Sequence, residues 1–153
     1  MKLSTRGEYA LRALLVLGLR YNDSVVTIQA IADEQNIPKR FLEQILNDLR
    51  AAGVVQSRRG VSGGYRLARR PDQIKLSGVL RQIEGMLAPV RCVSEFFYEK
   101  CSCPDEARCP IRSVMKEVRD SVVEVMDRVT VAELCGRWQQ AQSRPGGEAD
   151  YVI

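Results

Sequence analysis

Between Pro38 and Leu67 a helical pattern runs directly into a glycine-rich basic hairpin, and no other stretch restricts the possible folds so tightly. Phe41, Leu42, Ile45, Leu46 and Leu49 recur at one-and-four spacing. This predicts a helix with those side chains inward and Lys39, Arg40, Glu43, Gln44, Asn47 and Asp48 outward. Pro38 suits the first helical position and Gly53 closes the helix. Val54-Val55-Gln56-Ser57 and Tyr65-Arg66-Leu67 read as short strands separated by a segment holding Gly60, Gly63 and Gly64. Two strands alone are marginal in water, so this hairpin must pack on helices.

Upstream, residues 8–20 carry Leu11, Leu14, Leu15, Val16 and Leu19 on an alanine-rich stem, which predicts a first helix apolar on most faces. Thr27 is placed to cap a short second helix bearing Ile28, Ile31 and Ala32, which breaks at Asn36-Ile37-Pro38. Three helices with a tight turn between the second and third, followed at once by a basic hairpin, form a winged helix-turn-helix. In that arrangement the third helix offers its N-terminal polar side chains to base edges in the major groove. Lys39, Arg40, Glu43 and Gln44 stand there, with Thr27 and Pro38 at the two helix starts completing the candidate contact set. Arg40 and Gln44 can make paired hydrogen bonds to guanine or adenine, and Glu43 can accept from the cytosine amino group. Arg58 or Arg59 at the hairpin tip can enter a narrow minor groove, and Gly60, Gly63 and Gly64 permit close backbone approach.

The charge distribution agrees. Residues 1–77 hold 13 Lys/Arg against 7 Asp/Glu, while residues 78–153 hold 10 against 12, within a net charge of +4. Arg58, Arg59, Arg66, Arg69 and Arg70 lie in a stretch without an acid between Asp48 and Asp72, a surface suited to a polyanion. With 45% hydrophobic and 27% charged residues, the 153-residue chain can bury a core, which excludes disorder for its bulk. No apolar run approaches membrane-spanning length, and Glu8 and Arg12 interrupt the place where a secretory signal would be apolar. A cytoplasmic protein with no membrane partner is expected.

Residues 77–85 predict a fourth helix with Val79, Leu80 and Ile83 inward. Cys92, Cys101, Cys103 and Cys109 then fall within 18 residues, beside Pro104 and Pro110. In a reducing compartment such a cluster binds metal or works by redox chemistry in preference to forming a disulfide frame. Zinc and iron-sulfur clusters both take four thiolates, and spacing does not choose between them. Arg91 and Arg108 are placed to lower nearby thiol pKa values. Cys135 reads as a buried core thiol, and Phe96, Phe97, Tyr98 and Trp138 as packing or loop-anchoring side chains. The chain has no His, no phosphate loop and no paired-carboxylate motif, so it is not expected to be an enzyme.

Residues 111–132 carry Ile111, Met115, Val118, Val122, Val125, Val129 and Ala132 at alternating spacings of four and three, the seam of a self-pairing helix. The expected architecture is mainly α with a small β-hairpin wing and a long C-terminal dimerisation helix. Residues 1–76 form the DNA-binding domain, 77–110 a linking helix and cysteine loop, 111–142 the dimerisation region, and 143–153 a disordered Gly/Pro-rich tail.

"MKLSTRGEYALRALLVL", "IPKRFLEQILNDLRAAGVVQSRRGVSGGYRLAR" and the cysteine cluster before a long helix resemble the Rrf-two family of bacterial winged-helix regulators, over Met1 to about Ala141. The resemblance implies a homodimer with crossing long helices that binds palindromic duplex operators, usually as a repressor, with half-sites about 34 Å apart. It also implies an iron-sulfur cluster on three loop cysteines, [2Fe-2S] favoured over [4Fe-4S], that controls operator affinity in response to redox, nitric oxide, iron or sulfur status. Two features depart from the family pattern. Some relatives supply a fourth ligand from a His three residues after the last loop cysteine, where this chain has Arg112. Others use an acidic residue near the start of the partner subunit's first helix, and Glu8 stands at that place. The second departure is the extra thiol: Cys92, Cys101 and Cys109, or Cys92, Cys103 and Cys109, both approximate the family spacing. An all-cysteine site and one completed by Glu8 both remain open, with zinc, a metal-free thiol switch, or a protein or metabolite partner as alternatives.

Overall fold

The computed structural model describes residues 3–23 and 25–143. Its first helix, α1 (Thr5–Leu19), begins earlier than the apolar pattern suggests, because Ser4 caps it: the Gly7 N–H donates to Ser4 Oγ at 3.1 Å. Such caps contribute about 1 kcal/mol. The Ser4 N–H and hydroxyl in turn donate to Glu84 Oε1 at 3.1 and 2.6 Å. Glu84 ends α4 (Leu76–Glu84), so its carboxylate also sits at the positive end of the α1 dipole.

Helix α2 (Ile28–Gln35) is capped by Thr27, whose Oγ1 accepts from the Ala30 N–H at 3.1 Å, and ends at Asn36 in the left-handed region (φ 51°). Helix α3 (Lys39–Ala51) follows, with Pro38 as its cap and not its first helical residue. Leu42, Ile45, Leu46 and Leu49 are buried against Ala10, Ala13, Leu14, Leu17 and Ile31. Phe41 does not join them. At about 100° per residue it falls on the flank of that stripe, and it is 57% exposed.

Strands β1 (Val55–Arg58) and β2 (Gly64–Leu67) pair antiparallel from Val55↔Leu67 to Arg58↔Gly64. Val26 and Tyr65 exchange two backbone hydrogen bonds of 2.8 Å, which fasten the hairpin to the segment before α2.

The C-terminal region departs most from expectation. The predicted continuous helix over 111–132 is two helices, α5 (Pro110–Arg128) and α6 (Val131–Gln142). Val129 and Thr130 are extended and pair with residues 74–76: the Leu76 N–H donates to the Val129 carbonyl at 3.0 Å, and the Val131 N–H to that of Ile74 at 2.9 Å. Thr130 then caps α6, accepting from the Glu133 N–H at 3.3 Å. Backbone pairing and a new cap thus replace the helical turn that two β-branched residues would otherwise have continued. Helix α6 returns to α1, placing Val131 and Cys135 in the main core. Among the described residues, no helix is long and apolar enough to cross a membrane. Of the expected tail only Ser143 is described; the remainder lies outside the described residues.

Candidate nucleic-acid interface and thiol site

The inner stripe of α3 anchors that helix to α1 and α2, leaving Lys39, Arg40, Glu43, Gln44 and Asn47 exposed on its outer side. Pro38 and Thr27 are exposed at the adjoining helix starts, with the Thr27 hydroxyl committed to its cap. Arg6, Arg12, Arg20 and Arg70 are ion-paired to Asp48, Glu8, Glu34 and Asp72. Lys39, Arg40, Arg58 and Arg59 have no ion-pair partner among the described residues. Their charge remains available to phosphate, where neutralisation releases condensed counterions.

The wing glycines have internal duties. Gly60 adopts φ +109°, which only glycine accepts readily. A Cβ on Gly64 would lie 2.7 Å from the Val26 carbonyl carbon, and one on Gly63 would lie 2.8 Å from the Gly60 oxygen. Gly63 and Gly64 are therefore required by the wing's own backbone, whatever approach to DNA they also permit.

All four loop cysteines line one cavity of about 260 Å³, bordered by Glu99, Ile111 and Arg112. Cys109 caps α5, its Sγ accepting from the Arg112 N–H at 3.4 Å, and lies 3.9 Å from the Cys103 sulfur. Two thiolates on one metal with bonds near 2.3 Å lie about 3.8 Å apart, so this pair already has ligand spacing. No three Cys, Asp or Glu side chains among the described residues converge at the spacing of a single-ion site. Glu8 does not line the cavity; it is exposed and paired with Arg12 at 3.3 Å.

The thiols are electrostatically unequal. Hydrogen bonds to Cys101 and then Cys109 push Cys103 up to about 12, with burial adding to the shift. The Arg112 backbone N–H, at the start of α5, holds Cys109 below the usual thiol range. Burial raises Cys92, as do the charges of Cys101 and Glu106. Arg91 and Arg108, expected to lower nearby thiols, are ion-paired to Glu99 and Asp105, and the arginine whose charge lowers Cys92 and Cys109 is Arg112.

Two arginines of α5 hold the cysteine-bearing turn at 91–93. Arg112 Nε donates to the Cys92 carbonyl at 3.2 Å and pairs with Glu106 at 3.4 Å. Arg119 Nη1 donates to the Val93 carbonyl at 2.7 Å. Neither clamp was legible in the sequence, because each joins residues at least 20 positions apart. Of the loop aromatics, Tyr98 donates its hydroxyl to Glu106 at 2.8 Å and Arg81 stacks on Phe96. Phe97 lies against Gly85, while Trp138 is partly exposed.

The apolar seam on α5 divides. Ile111, Val118 and Val125 are exposed, together with Val114, and no residue of α5 is fully buried. Met115 and Val122 are half-buried, and Met115 packs against the small core of Ala88, Cys92 and Val93. Val129 lies in the main core at 5% exposure and is not on the outer seam.

Residues 3–137 match the model of the Rrf2 (Rrf-two) family, described as iron-dependent transcriptional regulators. The chain is similar to an Rrf2-like HTH-type transcriptional regulator of Rhodobacter capsulatus, 45% identical over 131 residues, covering 83% of this chain and 87% of the relative. The fold is similar to that of CymR, the global cysteine regulator of B. subtilis, with a TM-score of 0.76 and 32% identity over 90% of this chain and 98% of that one. It is equally similar to IscR of T. potens, with a TM-score of 0.76 and 31% identity over 95% and 94% of the two chains. The six α-helices and two-stranded wing of the described residues match these winged-helix regulators, and the relatives' role is regulatory and not enzymatic. This chain belongs to the Rrf2 family of transcriptional regulators.

Proposed function

We propose that the protein is a cytoplasmic homodimeric repressor that grips palindromic duplex operators through α3 and the wing, and that an iron-sulfur cluster on the loop thiols sets its affinity. The observation that carries this reading is the position of the thiols: four of them line one cavity at the N-terminal end of α5, a helix whose outer apolar face has no partner among the described residues. Soft thiolates fit an iron-sulfur cluster in donor type and number. Cys92, Cys103 and Cys109 would hold it, with Cys101 or the Glu8 of a second copy completing the set, and [2Fe-2S] is favoured over [4Fe-4S]. When bound, such a group supplies one-electron redox chemistry and sensitivity to oxidants and nitric oxide. The chain's own part is transmission. Arg112 and Arg119 tie the carbonyls of Cys92 and Val93 to α5, so a change at Cys92 bears on the helix that pairs the two DNA-binding units.

The Cys103–Cys109 pair favours a second reading, a thiol switch or zinc site without a cluster, in line with the likeness to a cysteine regulator. Anaerobic isolation separates the two. Visible absorbance with about two or four irons per subunit supports the cluster; colourless protein with zinc or no metal overturns it. Operator titrations of loaded and metal-free protein should differ by roughly 5- to 150-fold, and equal affinities would remove the regulatory role.

A further inference from the structure

Phe41 is anomalous on the DNA-facing part of the molecule. It lies on the first turn of α3 between Arg40 and the Glu43-Gln44 pair and is 57% exposed, whereas Leu42 and Ile45 beside it are buried. An aromatic ring in that position adds little to the core and costs hydrophobic free energy in water.

The ring borders a hollow of about 400 Å³ together with Thr5, Arg6, Tyr9, Gln44 and Ile45. Arg6 is ion-paired to Asp48, so the nearest cation is already engaged within the protein. An aromatic-lined recess therefore opens at the start of α3, where Lys39 and Arg40 precede Phe41 and have no ion-pair partner among the described residues, and Gln44 belongs both to its wall and to the exposed polar set of that helix. The distinctive apolar group that duplex DNA presents in its major groove is the C5-methyl of thymine, and phenylalanine is a suitable contact for it.

We propose that Phe41 is a specificity-determining residue that packs against the 5-methyl group of a thymine at or next to the base pair read by Gln44. This inference rests on the DNA-binding reading of α3. It adds an operator preference carried by an apolar contact, alongside the hydrogen-bonding preferences of Arg40, Glu43 and Gln44.

Deoxyuridine differs from thymidine only by that methyl group and keeps the same base pairing, which makes it the direct probe. Operators would be selected from random duplexes with the full-length protein, and each thymine then replaced singly by deoxyuridine. At one position per half-site the replacement is expected to weaken binding about fourfold, the value of one buried methyl-sized group. Phe41→Ala should bind the thymine and uracil operators equally, and Phe41→Leu should retain part of the preference. An enriched operator with no penalty at any thymine overturns the methyl contact, as does a preference that survives in Phe41→Ala. If Phe41→Ala weakened self-association and lowered affinity for all duplexes alike, the ring would belong to a protein interface and the inference would fail. Failure to enrich any duplex would instead remove the DNA-binding reading on which the inference stands.

Discussion

Gly18 of α1 lies directly against Cys135 of α6: a Cβ at position 18 would stand 2.6 Å from the Cys135 sulfur and 2.8 Å from Cγ1 of Val131. The absence of a side chain at this position lets the C-terminal helix close over α1. Alanine normally favours a helix over glycine by about 1 kcal/mol. Here Gly18→Ala should instead destabilise the fold by about 1–3 kcal/mol through overpacking. Urea unfolding of Gly18→Ala, Cys135→Ala and the double variant should show a double-variant loss smaller than the sum of the single losses, because one steric conflict is removed.

Burial raises the pKa of the Cys135 thiol above its ordinary value of 9.0. The folded state thus favours the neutral thiol, and its contribution to stability is fully present below about pH 9. That contribution is lost as pH rises through the higher folded value. Unfolding free energies measured from pH 8 to 11 should fall less steeply in Cys135→Ala than in the wild type, and identical slopes would refute this assignment.

Arg119 is 12% exposed at its side chain, and its guanidinium also pairs with Asp120. Loss of its bond to Val93 leaves a carbonyl of the small cysteine core without its donor. Arg119→Ala should therefore loosen residues 88–94 by about 1–3 kcal/mol, visible as faster amide hydrogen exchange there. Protection in α1 to α3 should be unchanged.

Val114 and Val118 are 54% and 41% exposed on the outer face of α5. If that face pairs with a second copy, Val118→Glu places a like charge from each protomer in an apolar seam. The dimer dissociation constant should rise by roughly 100-fold or more, given the burial value of two valines. Sedimentation equilibrium would detect this, and an unchanged dimer would place the interface elsewhere.

Arg40 and Arg58 should have separable effects on DNA. Arg40→Ala should lose about 1–3 kcal/mol on the selected operator and relax preference at one base pair. Arg58→Ala should reduce the salt dependence of binding by about one unit if the wing meets phosphate. Titrations at several salt concentrations distinguish these outcomes, and a pair of variants indistinguishable from wild type would exclude this face as the DNA surface.

The elements legible in the chain alone are those specified by near neighbours. The Thr27 cap, the Leu42-Ile45-Leu46-Leu49 stripe and the glycine-bearing hairpin are all set within a few residues by hydrogen bonds and helical period. The membership of the thiol group in one short loop was equally plain. Tertiary structure decided the rest. The heptad pattern from Ile111 to Val129 gives no warning that Val129 leaves the helix, because its competitor is the strand-like edge at residues 74–76, distant in sequence. The same holds for the hollow beside Phe41, whose other wall is the start of α1, and for the grip of Arg112 and Arg119 on the cysteine turn. Short-range pattern declares which conformations a segment prefers, whereas the partner that satisfies a backbone group or covers a ring is chosen only when distant segments meet.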